Sequence, residues 1–494
     1  MQKSNTPVCE IDYKTHLAEI QPYDSGTPKI NTPAFYGASP GKDFLYLIPT
    51  VGERPLYFSI SGLPDGLELN AADGIIHGKS AVSGEFKLLI SVENRLGRTE
   101  KEFTLVIKEN ALALTPPMGW NSWNCYRAQI DDTKIRSVAD AMINSGLAAR
   151  GYSYVNLDSG WQSPERGGKF NSIIPIPEFP DMKALCDYIH SKGLKIGIYS
   201  TPYEVPWGCE GAGGSSGQID SSWPTKFGKY IGLRKFEKED VAQWSEWGFD
   251  YLKYDWFHTD MYHAERMANE LRKSPRDFIY SLVTCVNIKD AEKVKKLAHM
   301  WRDNADTHPG WQSVLDNSMN TEIWNEHISP GHWFDLDMTA ILPRDGKVLS
   351  ENEQIFCITR WMMQSSPILL DCHPGELTEF QKKLLSNEDI IAINQDPLGK
   401  PPISIYRDSK WDIQLKPLAD GNAAVAYYNM STLPAIAPYI GIFAWVGYDF
   451  EARDLWQQKD LGRIDDDYVI GVEGHCAKVF KLFCPPNPCK ALRE

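Results

Sequence analysis

Residues 251–256 read YLKYDW, a lysine and an aspartate two positions apart in an apolar stretch. An unpaired charge is costly to bury. In a strand, alternate side chains share a face, so Tyr251, Lys253 and Asp255 look one way and Leu252, Tyr254 and Trp256 the other. Lys253 and Asp255 then stand side by side on the inside of something or at its mouth. A second acidic group, Asp306, lies in WRDNADTHPGW, downstream of Arg302. Two carboxylates facing each other across a pocket suit glycoside hydrolysis: one attacks the sugar or activates water, and the other protonates the leaving oxygen. The ammonium of Lys253 predicts a depressed Asp255 pKa and an ionised group fit to be a nucleophile. The negative charge of Asp255 in turn predicts a protonated Asp306, fit to be the general acid. Arg302 is expected to clamp a hydroxyl or a carboxylate rather than to catalyse.

The elements that must hold these residues are visible as a rhythm. Short apolar runs at 118–123, 152–158, 194–200, 250–255, 278–284, 299–306, 332–338 and 367–372 alternate with helical patterns. In the first helical stretch Ile135, Val138, Ala139 and Met142 mark one face, behind an N-cap at Asp131 or Asp132. Eight such repeats predict a parallel, closed (β/α)8 TIM barrel over residues 111–400. Several strands end in polar residues: Asp158, Tyr199, Asp255, Asp306 and Asp337. Active sites of such barrels lie at the C-terminal strand ends, so these side chains would converge on one mouth. Any single aspartate after a strand could instead cap the next helix. That accounts poorly for all of them together with Lys253 and Arg302.

The flanks differ. Residues 30–110 carry short alternating runs such as LYFSISGLP and KEFTLVIKEN, punctuated by LPDG and NAADG, which predict a small β-sandwich of immunoglobulin-like type. Residues 1–29 are expected to be a loosely attached lead-in. After NQDPLGKPP, alternating segments including YIGIFAWVGY predict a second, antiparallel β-sandwich over 401–494. The net charge of −14 argues against a nucleic-acid partner. No apolar run approaches the roughly 20 residues needed to span a bilayer. Sixteen Trp and 22 Tyr fit either sugar-binding faces or large cores. The ten cysteines include no metal-type pair; Cys476, Cys484 and Cys489 cluster near the end, where a disulfide could form.

TPPMGWNSWN, YVNLD, GLKIGIY, YLKYDW, the WR…AD segment, W-x-D-x-DM and AINQDPLGK occur in an order that resembles glycoside hydrolase family 27, the melibiase-type α-galactosidases. The resemblance spans about residues 112–400. It implies a retaining, exo-acting hydrolase that releases terminal α-D-galactose by double displacement, without metal or organic cofactor. By the same resemblance Asp255 is the nucleophile and Asp306 the acid/base, roughly 5–5.5 Å apart as retention requires. Lys253 binds sugar hydroxyls, Arg302 flanks the acid/base, Trp123 and Tyr199 line the pocket, and Asp337 faces the C2 side. Asp158 matches the first of two aspartates that grip the C4 and C6 hydroxyls.

Three departures stand out. Ser159 occupies the place of the usual second aspartate, which weakens the grip on the C4–C6 edge. A β-L-arabinopyranoside, galactose without its C6 arm, then becomes an alternative substrate. Trp256 and Phe257 stand where relatives place a cysteine, leaving Cys209 without that partner; Trp256 is expected to shape the pocket together with Ser159. The segment SLVTCVNIKD lacks the usual contacts for a C2 substituent. Two other classes compete: a sugar-binding protein with a dead site, and an aldolase using Lys253 as a Schiff base. The attached β-module and a carbohydrate target suggest a secreted or periplasmic bacterial protein, although MQKSNTPVCE lacks the apolar core of a signal peptide.

Overall fold

The computed structural model describes residues 11–440, 450–464 and 468–483. Its centre is a ring of parallel strands: β1 (Met118–Asn121), β2 (Tyr154–Asn156), β3 (Lys195–Ser200), β4 (Tyr251–Asp255), β5 (Ile279–Val283), β6 (Met300–Trp301), β7 (Trp333–Phe334) and β8 (Ile368–Leu370). The first seven pair in chain order and β8 returns beside β1. The ring is completed where the Thr339 amide donates to the Leu369 carbonyl at 2.9 Å. All eight expected strands are present, so the fold is the (β/α)8 barrel with a β-domain on either side in sequence.

Helices α1 (Asp132–Asn144), α2 (Met182–His190), α3 (Glu237–Trp247), α4 (Met261–Lys273), α5 (Ala291–Leu297), α6 (Trp311–Ser318), α7 (Glu351–Met363) and α8 (Glu379–Leu385) follow the strands in turn. The α1 face of Ile135, Val138, Ala139 and Met142 is fully buried. Its cap is Asp131, which accepts from the Lys134 amide. Asp181 and Asp260 cap α2 and α4 in the same way. These caps lie beyond the strand ends, so Asp158, Asp255 and Asp337 remain free of that task. Inside the ring, space is tight enough to require glycine: a Cβ on Gly197 would lie 2.1 Å from Asn156 Oδ1 and 2.8 Å from the Tyr251 ring.

The N-terminal β-sandwich packs a four-stranded sheet (Phe35–Ala38, Gly97–Ile107, Gly84–Asn94, Tyr57–Ser61) on a three-stranded one (Phe44–Leu47, Ile75–Gly78, Leu67–Asn70). Phe58, Ile76, Leu88, Ile90 and Leu105 form its own core. It docks on the N-terminal ends of the barrel strands. The Ser39 amide donates to Asp277 Oδ2 at 2.7 Å, and Asn31 Nδ2 to the Ala149 carbonyl at 2.9 Å.

The C-terminal domain is a six-stranded antiparallel sheet ordered Ile403–Arg407, Trp411–Pro417, Ala423–Asn429, Cys476–Phe483, Phe450–Asp454, Lys459–Ile464. Its apolar face merges with the barrel core through α7, which is buried continuously from Gln354 to Met363. Such all-round burial marks a helix sandwiched between two layers. Arg360 of α7 reaches across to Asp412 at 2.6 Å and lies over the Tyr428 ring at 3.8 Å. Cys484, Cys489 and residues 441–448 of the YIGIFAWVGY segment lie outside the described residues.

The expected loose lead-in is corrected by the fold. Thr15 donates to the Ala477 carbonyl at 2.9 Å, and the Ala18 amide to the Trp456 carbonyl at 2.9 Å. Arg150 from the barrel donates to the Gln21 carbonyl at 2.7 Å. Residues 11–28 thus strap the C-terminal sheet to the barrel and lead to the N-terminal module. Their polar composition hid these backbone-directed bonds.

Removing one partner of a buried ion pair strands the other charge. Arg360→Met is expected to destabilise the protein by roughly 3 kcal/mol, moderated because Asp412 keeps Ser404 and Arg407 as partners. Chemical denaturation followed by tryptophan fluorescence measures it, and an unchanged midpoint would show that the pair does not tie the two domains together.

Candidate active site

A pocket of about 260 Å³ opens at the C-terminal ends of the strands. Trp123 follows β1, Asp158 follows β2, Tyr199 belongs to β3, Lys253 and Asp255 to β4, Asp306 follows β6 and Asp337 follows β7, and all of them line it. Strand alternation explains β4. Tyr251 fills the barrel interior below, Lys253 and Asp255 rise into the mouth, and Tyr254 faces outward toward the helices.

Two buried cations organise the carboxylates. Lys253 Nζ donates to Asp158 Oδ2 at 2.7 Å and sits over the Tyr199 ring at 5.7 Å. Burial alone would lower the Lys253 pKa, but Asp158 and Asp255 outweigh it and hold the ammonium above its ordinary value. Asp158 is itself fixed, its amide donating to Ser122 Oγ at 2.8 Å. Arg302 is only 2% exposed and lies beneath the pocket wall. Its Nη2 donates to Asp306 Oδ1 at 2.8 Å, and its Nη1 lies 2.5 Å from Asp337 Oδ2. Of the two roles expected for Arg302, the geometry is that of a carboxylate clamp.

Asp337 has φ +79°, in the left-handed region that non-glycine residues avoid. Its surroundings fix it there. Its amide donates to Asp335 Oδ1 at 2.8 Å, its carbonyl accepts from the Trp361 indole at 2.8 Å, and its carboxylate accepts from the Thr307 amide at 2.7 Å. Strain of this kind, held by several hydrogen bonds, is typical of positions where a side chain must be aimed.

The protonation order differs from the one expected from sequence. Burial pushes Asp255 up to about 7, with Lys253 only partly offsetting it and Asp306 and Asp158 adding to the rise. Asp306 goes the other way: the Arg302 guanidinium beside it holds its carboxyl below the usual range. Asp306 is also 64% exposed at the rim, so water can stabilise its charge. The sequence showed the Lys253 charge but neither the depth of Asp255 nor the clamp on Asp306.

Two expected pocket residues are elsewhere. Ser159 is 1% exposed; its hydroxyl donates to the Trp207 carbonyl at 2.5 Å and lies 3.3 Å from Cys209 Sγ. Trp256, also 1% exposed, packs on Tyr254 at 4.7 Å between ring centroids. The alternation of β4 carries Trp256 onto the outward face, so it shapes the core rather than the pocket.

Loops supply what the motifs did not reveal. Trp207, Phe227 and Phe257 form an aromatic wall, with Phe227 edge-on to Trp207 at 5.9 Å and to Phe257 at 5.5 Å. Across the mouth Arg344, after β7, binds Asn124 and His308, and Arg127 lies over the Trp123 ring at 5.5 Å. Thr284, Thr307 and Met338 complete the lining. The position of Phe257 two residues after Asp255 was the one available signal, since alternation turns it back toward the mouth. Among the described residues no group of three or more His, Cys, Asp or Glu is arranged to hold a metal. No helix among them is long and apolar enough to cross a membrane. A larger cavity, about 560 Å³, lies between the N-terminal module and the strand N-termini, away from this cluster.

A barrel with two differently tuned carboxylates lining one pocket at its C-terminal mouth is the arrangement that glycoside hydrolysis uses. Comparison with known families agrees. Residues 115–396 match the alpha galactosidase A family and residues 408–482 its C-terminal beta sandwich domain. The alpha-galactosidase of Cyamopsis tetragonoloba is 30% identical over 81% of this chain and 94% of its own, and alpha-galactosidase 3 of Arabidopsis thaliana 34% over 76% and 83%. A crystal structure of a candidate alpha-galactosidase from Bacteroides fragilis superposes with a TM-score of 0.83 at 29% identity, covering 94% of this chain and all of that one. The alpha-galactosidase I structure of Mortierella vinacea covers 76% of this chain and 98% of its own, with a TM-score of 0.66 and 26% identity. The chain belongs to the melibiase-type α-galactosidase family, glycoside hydrolase family 27, and is a glycoside hydrolase of that type.

The raised Asp255 pKa has a cost in stability. A carboxyl held above its ordinary value destabilises the fold as pH rises from about 4 to about 7 and fully above that. Asp255→Asn is therefore expected to melt at least ~2 °C above wild type at pH 8, with the gap closing toward pH 4. Differential scanning calorimetry at the two pH values tests this, and a gap that is constant with pH would contradict it.

Proposed function

We propose that this protein is a retaining, exo-acting hydrolase that removes a single terminal α-D-galactose from oligo- or polysaccharides. The observation that carries the reading is a one-sugar pocket lined by both Asp255 and Asp306, with Lys253 and Asp158 locked together on its floor. Asp255 attacks the anomeric carbon as the glycosidic bond breaks, and Asp306 gives its proton to the leaving oxygen. Water then attacks the glycosyl–Asp255 ester while Asp306 takes its proton back, so two inversions restore the anomeric configuration.

The empty-pocket protonation order fits this cycle if one proton is shared between the two carboxyls. Without substrate it rests on buried Asp255, while exposed Asp306 is ionised beside Arg302. A sugar entering the pocket covers Asp306 and takes water from it, which raises its pKa. Lys253 remains close enough to stabilise an ionised Asp255. Binding thus moves the proton to the group that must deliver it.

The Ser159 geometry favours a second substrate. Its hydroxyl is committed to the Trp207 carbonyl, so Ser159 does not stand in for the missing carboxylate at the C4–C6 edge. A β-L-arabinopyranoside has the same ring hydroxyls as galactose without the C6 arm and fits such an edge. A panel of nitrophenyl α-D-galactoside, β-L-arabinopyranoside and α-N-acetylgalactosaminide decides between them; a preference for the acetamido sugar would overturn both readings.

Two measurements test the mechanism. A 2-fluoro glycoside with a good leaving group is expected to accumulate as an ester on Asp255, identified by peptide mass spectrometry; labelling elsewhere, or none, refutes that role. Asp306→Ala is expected to lower kcat/KM by roughly 10²–10⁴-fold on alkyl or sugar leaving groups and far less on nitrophenyl ones, which need no proton. For the wild type, kcat/KM is expected to fall above about pH 7 as the pair loses its shared proton. Lys253→Met should move that limb to higher pH, because the cation that lowers the Asp255 pKa is gone.

A further inference from the structure

A hairpin between β3 and α3 reaches the pocket without contributing to the chemistry of Asp255 and Asp306. Its strands Ser215–Ile219 and Gly232–Lys235 are antiparallel. Beyond them the chain reverses in a two-residue turn, the Lys226 amide donating to the Lys229 carbonyl at 2.9 Å and the Lys229 amide to the Lys226 carbonyl at 2.8 Å. The central residues, Phe227 and Gly228, have φ +49° and +77°, the signature of a type I′ turn. Such turns favour Asn, Asp or Gly at the first central position, and a phenylalanine there is strained.

Core burial does not compensate this strain, because Phe227 is 77% exposed. Its edge-on contacts with Trp207 and Phe257 set it on top of the aromatic wall, at the rim of the pocket it helps to line. Lys226 and Lys229 lie over the Phe257 and Trp207 rings at 5.2 and 5.3 Å, so the faces of the lower rings are partly covered while Phe227 stays open. A large exposed apolar side chain in a strained turn, continuous with a binding pocket, points to a ligand contact. The pocket holds about 260 Å³, the size of one sugar ring. A sugar that fills it leaves the open face of Phe227 at the rim for the portion of the substrate that extends beyond the pocket.

We infer that Phe227, backed by Trp207 and Phe257, is a stacking platform for the leaving group, and that this leaving group is a second sugar ring presenting its C–H face. The inference rests on the glycosidase reading above and adds to it the side chains that hold the leaving sugar. Dispersion and apolar contact between a pyranose face and an aromatic ring supply the attraction.

The test compares kcat/KM on an α-1,6-linked galacto-oligosaccharide with that on α-D-galactosyl fluoride, whose leaving group is a single atom. The same comparison is made with a β-L-arabinopyranosyl oligosaccharide and β-L-arabinopyranosyl fluoride. The oligosaccharide-to-fluoride ratio is expected to fall about tenfold in Phe227→Ala and to be retained in Phe227→Tyr. Fluoride turnover with an unchanged ratio would overturn the platform alone. A larger fall on a nitrophenyl glycoside than on the oligosaccharide would overturn the glycan assignment in favour of an aromatic leaving group. If wild-type protein hydrolyses neither fluoride, the hydrolase reading itself fails and the platform with it.

Discussion

Several carboxylates cannot share one poorly hydrated mouth unless cations are buried with them, and the site is built around that constraint. Lys253 neutralises Asp158, and Arg302 spans Asp306 and Asp337. Both cations come from the ends of barrel strands, where alternation and a parallel register bring side chains of different repeats together. The barrel interior must therefore be filled without displacing them. Gly197 leaves the space that Asn156 and Tyr251 occupy directly below Lys253. The outward neighbours Tyr254 and Trp256 pack under the helices and fix the strand that carries the pair.

The two cations do different work because they differ in depth and geometry. Arg302 presents a rigid fork to two carboxylates and holds Asp306 ionised against the effect of burial. Lys253 offers one donor direction to Asp158, and its charge only tempers the effect of burial on Asp255. The result is a pair of acids whose environments push their pKa values apart, which is how acid and base assignments are usually made. In the mechanism proposed above, the order without substrate is opposite to the one that bond cleavage calls for. That opposition links substrate binding to proton placement: the exposed acid is the one whose solvation a sugar changes most.

Much of this was legible in the sequence, and the reasons for the rest are specific. The barrel strands were readable because each is a short apolar run closed by turn residues, and Asp131 because capping leaves a local pattern. Asp158, Lys253, Asp255, Asp306 and Asp337 were readable because barrel topology sends every strand end to one face. Trp256 shows an alternation rule overridden by analogy: its place on the outward face follows from counting along β4. Ser159 shows the converse, since no pattern reveals that a hydroxyl turns to a carbonyl 48 residues away. The protonation order depends on depth, and the strap of residues 11–28 on bonds to backbone groups, and neither leaves a mark in residue types.

Ser159 and the aromatic wall are best understood as one change. A second carboxylate at 159 would face the Trp207 carbonyl and stand next to Asp158, whose oxygen already accepts from the Ser159 amide at 2.8 Å. A serine can donate there, and its bond holds the backbone of Trp207 against the mouth. Trp207 in turn presents its amide to the Tyr199 hydroxyl at 3.3 Å and its ring to Tyr203 and Phe227. Cys209 points to Ser159, and aromatic contacts of Trp207 hold this edge. The Ser159 edge of the pocket and the aromatic wall above it therefore share one support, Trp207.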